Sequence, residues 1–329
     1  MLVAAGWLLI WGNRSGPKWA VPPALTLGVV CGFATLSPGM IEGANLQEVY
    51  RGNSNFGQMQ VLQTRNLPRR AFLNDYLQQG AYDSQARQSL DMFTYLLHDL
   101  AHAYSTDLSD VLCIGLGIGI APMQFAREGA RVDVVEINPA VVPLAQRFFD
   151  LQPERLNITL GDGRQFVAES RKHYDAVILD AFLGETSPSH LMTREAFTAM
   201  RNILRPGGVL VINCFGDFTP GRDFQVASMQ KTLASVFPSV RIHADSASNA
   251  VVNVFFVASS AELAIRRAPA FDHVHPACRD KVKAAFTRVV TTDTWHGRVL
   301  TDDYNPVEYY DAANRERMRL SLARSAREL

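Results

Sequence analysis

Cysteine is scarce, neither sign of charge is in excess, and apolar runs are short in this chain of 329 residues. Each shortage excludes something. Cys31, Cys113, Cys214 and Cys278 stand apart with no CxxC pair, which is not the spacing of a disulfide framework or a two-pair metal site. Cys113 and Cys214 lie inside apolar runs and read as buried free thiols in a reducing compartment. His275-Pro-Ala-Cys278 has no second pair and reads as a loop. The 32 basic and 32 acidic residues cancel, so no basic surplus points to nucleic acid. No small-residue cleavage site stands out near the N-terminus, and a secretory signal fits poorly.

Glycine, by contrast, is concentrated where it counts. From Val111 to Glu136 the chain runs VLCIGLGIGIAPMQFAREGARVDVVE, which reads as strand, glycine turn, helix, strand. Gly115, Gly117 and Gly119 let the backbone turn sharply and approach a ligand closely. Pro122 suits the first turn of the next helix. Glu136 ends the second strand, at the edge where open parallel sheets bind ligands, and a carboxylate there can accept both hydroxyls of a ribose. The dinucleotide fingerprint needs Gly or Ala where Ile120 stands, so it fits badly. GxGxG with an acid closing the next strand is the pattern of enzymes that use S-adenosylmethionine (SAM). A turn that merely packs a helix on a sheet uses the same glycines.

Along the chain, Met1–Trp11 and Trp19–Leu36 are uncharged apolar runs around a turn carrying Arg14 and Lys18. They read as a membrane hairpin over residues 1–36, with a buried helical pair as the alternative. The two charges hold the turn on the cytoplasmic side. A spanning second run would then carry the rest outside, whereas a re-entrant one keeps it cytoplasmic. Residues 58–63 and 70–74 suggest strands of a small β unit. Residues 84–104 are helical by period. Strands are expected near 111–115, 131–136, 156–160, 175–180, 207–213, 239–243 and 251–257, with helices near 121–128, 139–149, 193–203 and 223–236. Residues 261–293 are expected to be helical, and 314–329 an arginine-rich amphipathic helix. The fold expected is α/β: a doubly wound, Rossmann-like SAM-binding sheet with an antiparallel closing pair, a small N-terminal β unit and an N-terminal membrane hairpin.

Three carboxylates end successive strands. Besides Glu136, Asp162 in Gly161-Asp162-Gly163 can accept from an adenine amino group, although a plain turn uses the same residues. Asp180 closes the buried strand YDAVILD and faces the same rim, where it suits a sulfonium or an amine that must lose a proton. Capping of the next segment is the alternative reading. A Ser-His-Asp reading of Ser189, His190 and Asp180 lacks a nucleophile elbow.

The motifs GLGIG, VVEINPAVV, GDGRQF, YDAVILDAFLGETSPSHLMTREAF and LTDDYNPVE together resemble the spermidine synthase family, and especially its membrane-fused branch. The expected division is residues 1–37 (membrane-associated), 38–83 (linker and small β unit, which corresponds to the family's N-terminal strands) and 84–329 (catalytic domain). The resemblance implies that Glu136 binds ribose, that Asp162 binds adenine, and that Asp180 is the base for in-line attack by an amine. Gln78 sits where the family places a substrate-side Gln. Three family positions differ: Ile118 replaces an Asp that holds the aminopropyl amine, Leu183 replaces a second Asp, and Gly57 replaces a Gln. Glu185, Asp302, Asp303 and Glu308 are candidates to compensate, with Glu185 and Asp303 assigned to substrate. The resemblance implies SAM or decarboxylated SAM as co-substrate without a metal, a small-molecule amine as acceptor, and a homodimer, since relatives often form dimers. The expected activity is aminopropyl-type transfer, in a membrane-associated protein with a cytoplasmic catalytic domain. A methyltransferase using intact SAM and a non-catalytic nucleotide-binding protein are the alternatives.

Overall fold

The computed structural model describes residues 45–310 apart from 76, 106, 183–187 and 247–250, together with residues 312 and 316. The expected membrane hairpin, Leu183, Glu185 and all but Glu316 of the arginine-rich helix it placed at 314–329 lie outside the described residues. Among the described residues no helix is long and apolar enough to cross a membrane. The chain begins as an antiparallel meander in which each strand pairs with the next: β1 (Leu46–Ser54), β2 (Gly57–Thr64), β3 (Arg69–Asn74), β4 (Leu77–Asp83) and β5 (Gln88–Ser89). Sequence pattern marked only β2 and β3, because β4 is rich in glutamine. The helix expected from residue 84 starts later. Tyr82 pairs with Ser89, Asp83 pairs with Gln88, and Arg87 makes the turn at φ 56°. The apolar period begins only at α1 (Met92–Tyr104).

The remainder alternates strand and helix: β6 (Asp110–Ile114), α2 (Ile120–Arg127), β7 (Arg131–Glu136), α3 (Val141–Phe149), β8 (Asn157–Leu160), α4 (Gly163–Glu169), β9 (Tyr174–Leu179), α5 (Arg194–Asn202) and β10 (Leu204–Gly216). Then follow α6 (Phe224–Ala234), β11 (Ser239–Ala244), β12 (Val252–Ser259), α7 (Arg279–Thr287) and β13 (Val289–Val290). The long helix expected over 261–293 is reduced to α7, since Pro269 and Pro276 cannot continue one. The sheet order is β13-β11-β12-β10-β9-β6-β7-β8. Strands β10, β9, β6, β7 and β8 are parallel, and β11 and β12 close the sheet antiparallel, as expected. The chain winds outward from β6 to β8 and then returns to β6 through β9. The junction of β6 and β9 is thus the topological switch, the place where such sheets open a ligand crevice.

Both faces of the sheet are covered, and β6 shows why its sequence is uniformly apolar. Val111 and Cys113 enter a core with α1, α2, α3 and α7, whereas Leu112 and Ile114 enter a second core with α5 and α6. The small sheet docks onto the end of α3. Phe72 and Tyr82 meet Phe149 edge-on, the Tyr82 hydroxyl donates to Asp150 Oδ2 at 2.6 Å, and Arg70 Nη1 donates to the Phe148 carbonyl at 2.8 Å. That contact brings β4 over the crevice.

Opposite the crevice, Asp110 ties the sheet together. It is 1% exposed and accepts from Arg131 Nε and Nη2 at 2.8 and 2.6 Å and from Arg205 Nη2 at 2.7 Å. The Arg131 bond leads an array of cations that holds this carboxyl well below the usual carboxylate range. Its stabilisation is present at neutral pH and is lost as pH falls below about 4, where the unfolded carboxyl protonates. Asp110→Ala is expected to cost about 2–3 kcal/mol in urea unfolding at pH 7, since the partly exposed arginines can turn to water, and the deficit is expected to shrink in acid.

Candidate active site

The crevice is built on a glycine that must come closer than a side chain allows. Gly115 leaves β6 at φ 99°, and a Cβ there would lie 2.2 Å from the Asp180 carbonyl oxygen. The Asp180 N–H donates to the Ile114 carbonyl at 3.0 Å, so the two strand ends are locked beside each other. Gly119 takes the left-handed conformation as the N-cap of α2, where L residues are strained. A Cβ on Gly163 would lie 2.5 Å from Ile114 Cγ2, so the third expected loop also packs tightly on β6.

Glu136 is 8% exposed at the end of β7. Its Oε2 accepts from the Leu116 N–H at 2.9 Å and its Oε1 from the Asn138 N–H at 2.8 Å. Burial raises its pKa overall, against the pull of these backbone donors. Each oxygen keeps a lone pair for a further donor. Asp162 caps α4: Oδ1 accepts from the Gln165 N–H at 2.8 Å, and Oδ2 lies 3.1 Å from His190 Nε2. Asp180 is recessed in the crevice. Its Oδ1 accepts from Asn213 Nδ2 at 2.9 Å, and Asn213 Oδ1 accepts in turn from Asn253 Nδ2 at 3.2 Å. Burial pushes the Asp180 carboxyl up to about 6, against the pull of the Asn213 hydrogen bond.

These groups line one cavity of about 420 Å³. Gly115, Gly117, Glu136, Asp162, Gly163, Asp180 and Gln78 all border it, while Gly119 shapes the turn from behind. Asp303 does not belong to it: the residue is exposed, and the chain around it is held elsewhere. Neighbouring Asp302 accepts from Thr193 Oγ1 at 2.7 Å and from Arg164 Nη2 at 2.8 Å, which anchors that segment to α4 and α5. Glu308 accepts from Ser189 Oγ at 2.8 Å, so Ser189, His190 and Asp180 do not form a triad. Gly57 occupies the β1–β2 turn at φ 111°, a backbone suited to glycine rather than to the family's Gln. Ile118 is buried, and a Cβ on Gly80 of β4 would lie 2.8 Å from its Cδ1.

Among the lining residues that escaped the sequence reading are Asp91, Asn213 and Asn253. Asp91 precedes α1 and looks like an ordinary N-cap, yet its Oδ1 accepts from Gln78 Nε2 at 3.3 Å and its Oδ2 from the Ala81 N–H. Burial, with a lesser contribution from the Asp180 charge, raises the Asp91 carboxyl to about 6. Asn213 interrupts the apolar run VLVINCF, and a lone amide in a buried strand demands a partner. That was a usable signal. Asn253 carried none, because its partner lies across an antiparallel pair. Asp180 opposes folding above its unfolded pKa: stability falls between about pH 4 and pH 6 as the unfolded chain releases its proton first. Asp180→Asn is therefore expected to raise stability at pH 7.5 by on the order of 2–3 kcal/mol in thermal or urea unfolding, with the gain vanishing near pH 4.

Comparison with known proteins places this geometry in context. The family model described as spermine/spermidine synthase domain matches residues 91–258. A polyamine aminopropyltransferase of Vibrio vulnificus is 40% identical over 111 residues, covering 32% of this chain and 37% of that protein. An N-terminal histidine N-methyltransferase of Emericella nidulans is 35% identical over 144 residues, covering 42% of this chain and 25% of the relative. The chain thus spans under half the length of these curated relatives. The structure of a probable spermidine synthase from Corynebacterium glutamicum superposes with a TM-score of 0.59 at 17% identity, over 80% of this chain and 93% of that one. That likeness concerns the fold.

Proposed function

The chain belongs to the spermine/spermidine synthase domain family, and from that premise we propose that it alkylates an amine using the sulfonium of decarboxylated SAM or SAM, with Asp180 as the base. The observation that carries the proposal is the recessed Asp180 carboxyl, with a pKa near 6, in the same cavity as the backbone-tied carboxylate of Glu136. A bound sulfonium nucleoside supplies an electrophilic carbon and a neutral thioether as leaving group. The chain supplies the rest. Glu136 accepts the ribose hydroxyls, and Asp162 takes the adenine amino group beside His190. Asp180 and Asp91 draw a cationic amine into the cavity. The ammonium first gives a proton to Asp180, which frees the nitrogen lone pair; the nitrogen then bonds to the carbon as the carbon–sulfur bond breaks and the neutral thioether leaves. A base with a pKa near the working pH is ionised yet still able to hold that proton. Phe56, Phe93 and Phe182 border the cavity and limit water.

The second reading, methyl transfer from intact SAM, is favoured by two residues. Ile118 puts a buried apolar side chain where aminopropyltransferases carry an acid, and Lys281 borders the cavity, where it suits the SAM carboxylate. The similarity to an N-terminal histidine N-methyltransferase is consistent with this.

Calorimetric titration with SAM, decarboxylated SAM and methylthioadenosine tests both. Tighter binding of decarboxylated SAM supports aminopropyl transfer, tighter binding of SAM supports methyl transfer, and binding of none defeats the transferase reading. Asp180→Asn is expected to leave nucleoside affinity unchanged and to reduce turnover by roughly 10²–10⁴-fold; unchanged turnover removes Asp180 as the base. Turnover is expected to fall as pH drops through about 6. Asn213→Ala, which deletes a donor to the charged form, is expected to move that acidic limb to higher pH.

A further inference from the structure

Away from the cavity, three histidines and two acids converge where α1, the end of α2 and the loop before α7 meet. His98 and His102 are one turn apart on α1, so both rings leave the same face. Glu128, the C-cap of α2, reaches both: its Oε1 lies 3.0 Å from His98 Nε2 and its Oε2 2.7 Å from His102 Nε2. Behind them, His98 Nδ1 lies 3.3 Å from Asp99 Oδ1, which is also 3.0 Å from His273 Nε2. None of the five residues borders the cavity. We propose that this cluster is a zinc site, with His98 Nε2, His102 Nε2 and the Glu128 carboxylate as ligands and Asp99 and His273 behind them.

Geometry carries the assignment. The ligand atoms of His98, His102 and Glu128 lie within 4.8 Å of one another. Zinc bonds of about 2.0–2.1 Å in a tetrahedron place neighbouring ligand atoms about 3.3 Å apart. The nitrogen–oxygen separations of 3.0 and 2.7 Å need to open by about 0.3 and about 0.6 Å. Two imidazoles and one carboxylate form a donor set that zinc accepts, with a fourth position left for water. Asp99 on Nδ1 of His98 is the outer carboxylate that metal-bound histidines commonly have, and it turns Nε2 toward the ion. Asp99 supplies an independent observation. It is 2% exposed, and its Oδ2 has no hydrogen-bond partner, an arrangement that added positive charge nearby relieves. The carbonyl end of α2 also favours a cation beside Glu128. Glu128 and His102 are partly exposed, which gives an ion a path from solvent.

Zinc here acts as a staple. It joins α1, whose N-cap is Asp91, to the end of α2, and through Asp99 and His273 it steadies the loop that leads to Ala277 and Cys278 in the cavity wall. Its role is to hold these walls, and it takes no part in the transfer step.

The test uses the full chain, stripped with a chelator and titrated calorimetrically with zinc chloride. One zinc per chain is expected, with a zinc-dependent rise in melting temperature that the chelator reverses. Cobalt(II) in its place is expected to show the visible d–d bands of a four-coordinate nitrogen–oxygen site. His102→Gln and Glu128→Gln, at partly exposed positions that tolerate change, are expected to weaken zinc binding at least 10-fold, and His296→Gln, outside the cluster, to leave it unchanged. A stoichiometry well below one per chain overturns the proposal, as does equal affinity in all three variants. Either result would mean that the cluster is a hydrogen-bonded ion pair network only.

Discussion

Everything in the crevice depends on how closely Gly115 passes the Asp180 carbonyl. The strands β6 and β9 are neighbours at the switch of the winding order, and the turn leaving β6 has to cross the end of β9. A Cβ at 2.2 Å from a backbone oxygen would force the strand ends apart. With glycine in place, Asp180 and the Leu116 N–H that binds Glu136 are set from the same short segment of chain. Backbone N–H groups hold the carboxylates of Glu136 and Asp162, and the Asn213 amide holds that of Asp180.

The two ends of the sheet handle charge in opposite ways. At one end Asp110 is surrounded by Arg131, Arg205 and Lys172, and its charge is stabilised. At the other, Asp180 and Asp91 have amide and backbone donors, no cation among the described residues bonds to either, and burial raises both. The first arrangement holds strands together. The second trades stability for groups that exchange protons near neutral pH. Ile118 sharpens the contrast, since the glycine turn carries a buried apolar residue packed under β4.

Much of the α/β half was legible in sequence. Buried parallel strands such as VLCI and YDAVIL carry no polar interruptions, and the strand expectations for them shift by only a residue or two. The misreadings cluster where local pattern is overridden. Residues 84–91 carry little apolar period of their own and follow β4 as a hairpin partner. Residues 261–293 mix apolar residues with two prolines, and only α7 survives as helix. The short helix α4, packed after Gly161-Asp162, was hidden by its glycines.

Glu136, Asp162 and Asp180 were identifiable because each stands at a fixed offset from a strand end, and strand ends follow from local hydrophobic pattern. Such residues are determined by sequence alone, as is the glycine turn that the sheet requires. Asp91 met Gln78 only when β4 paired with β5, and Asn213 met Asn253 only when β12 paired with β10. Asp303 went the other way, carried to the surface by the anchoring of Asp302. The His98–His102–Glu128 cluster likewise joins segments far apart in the chain. Period and turn chemistry act over a few residues, while a hydrogen bond or a ligand set acts through space. The first can be read from a string of residues, and the second exists only once the chain has folded.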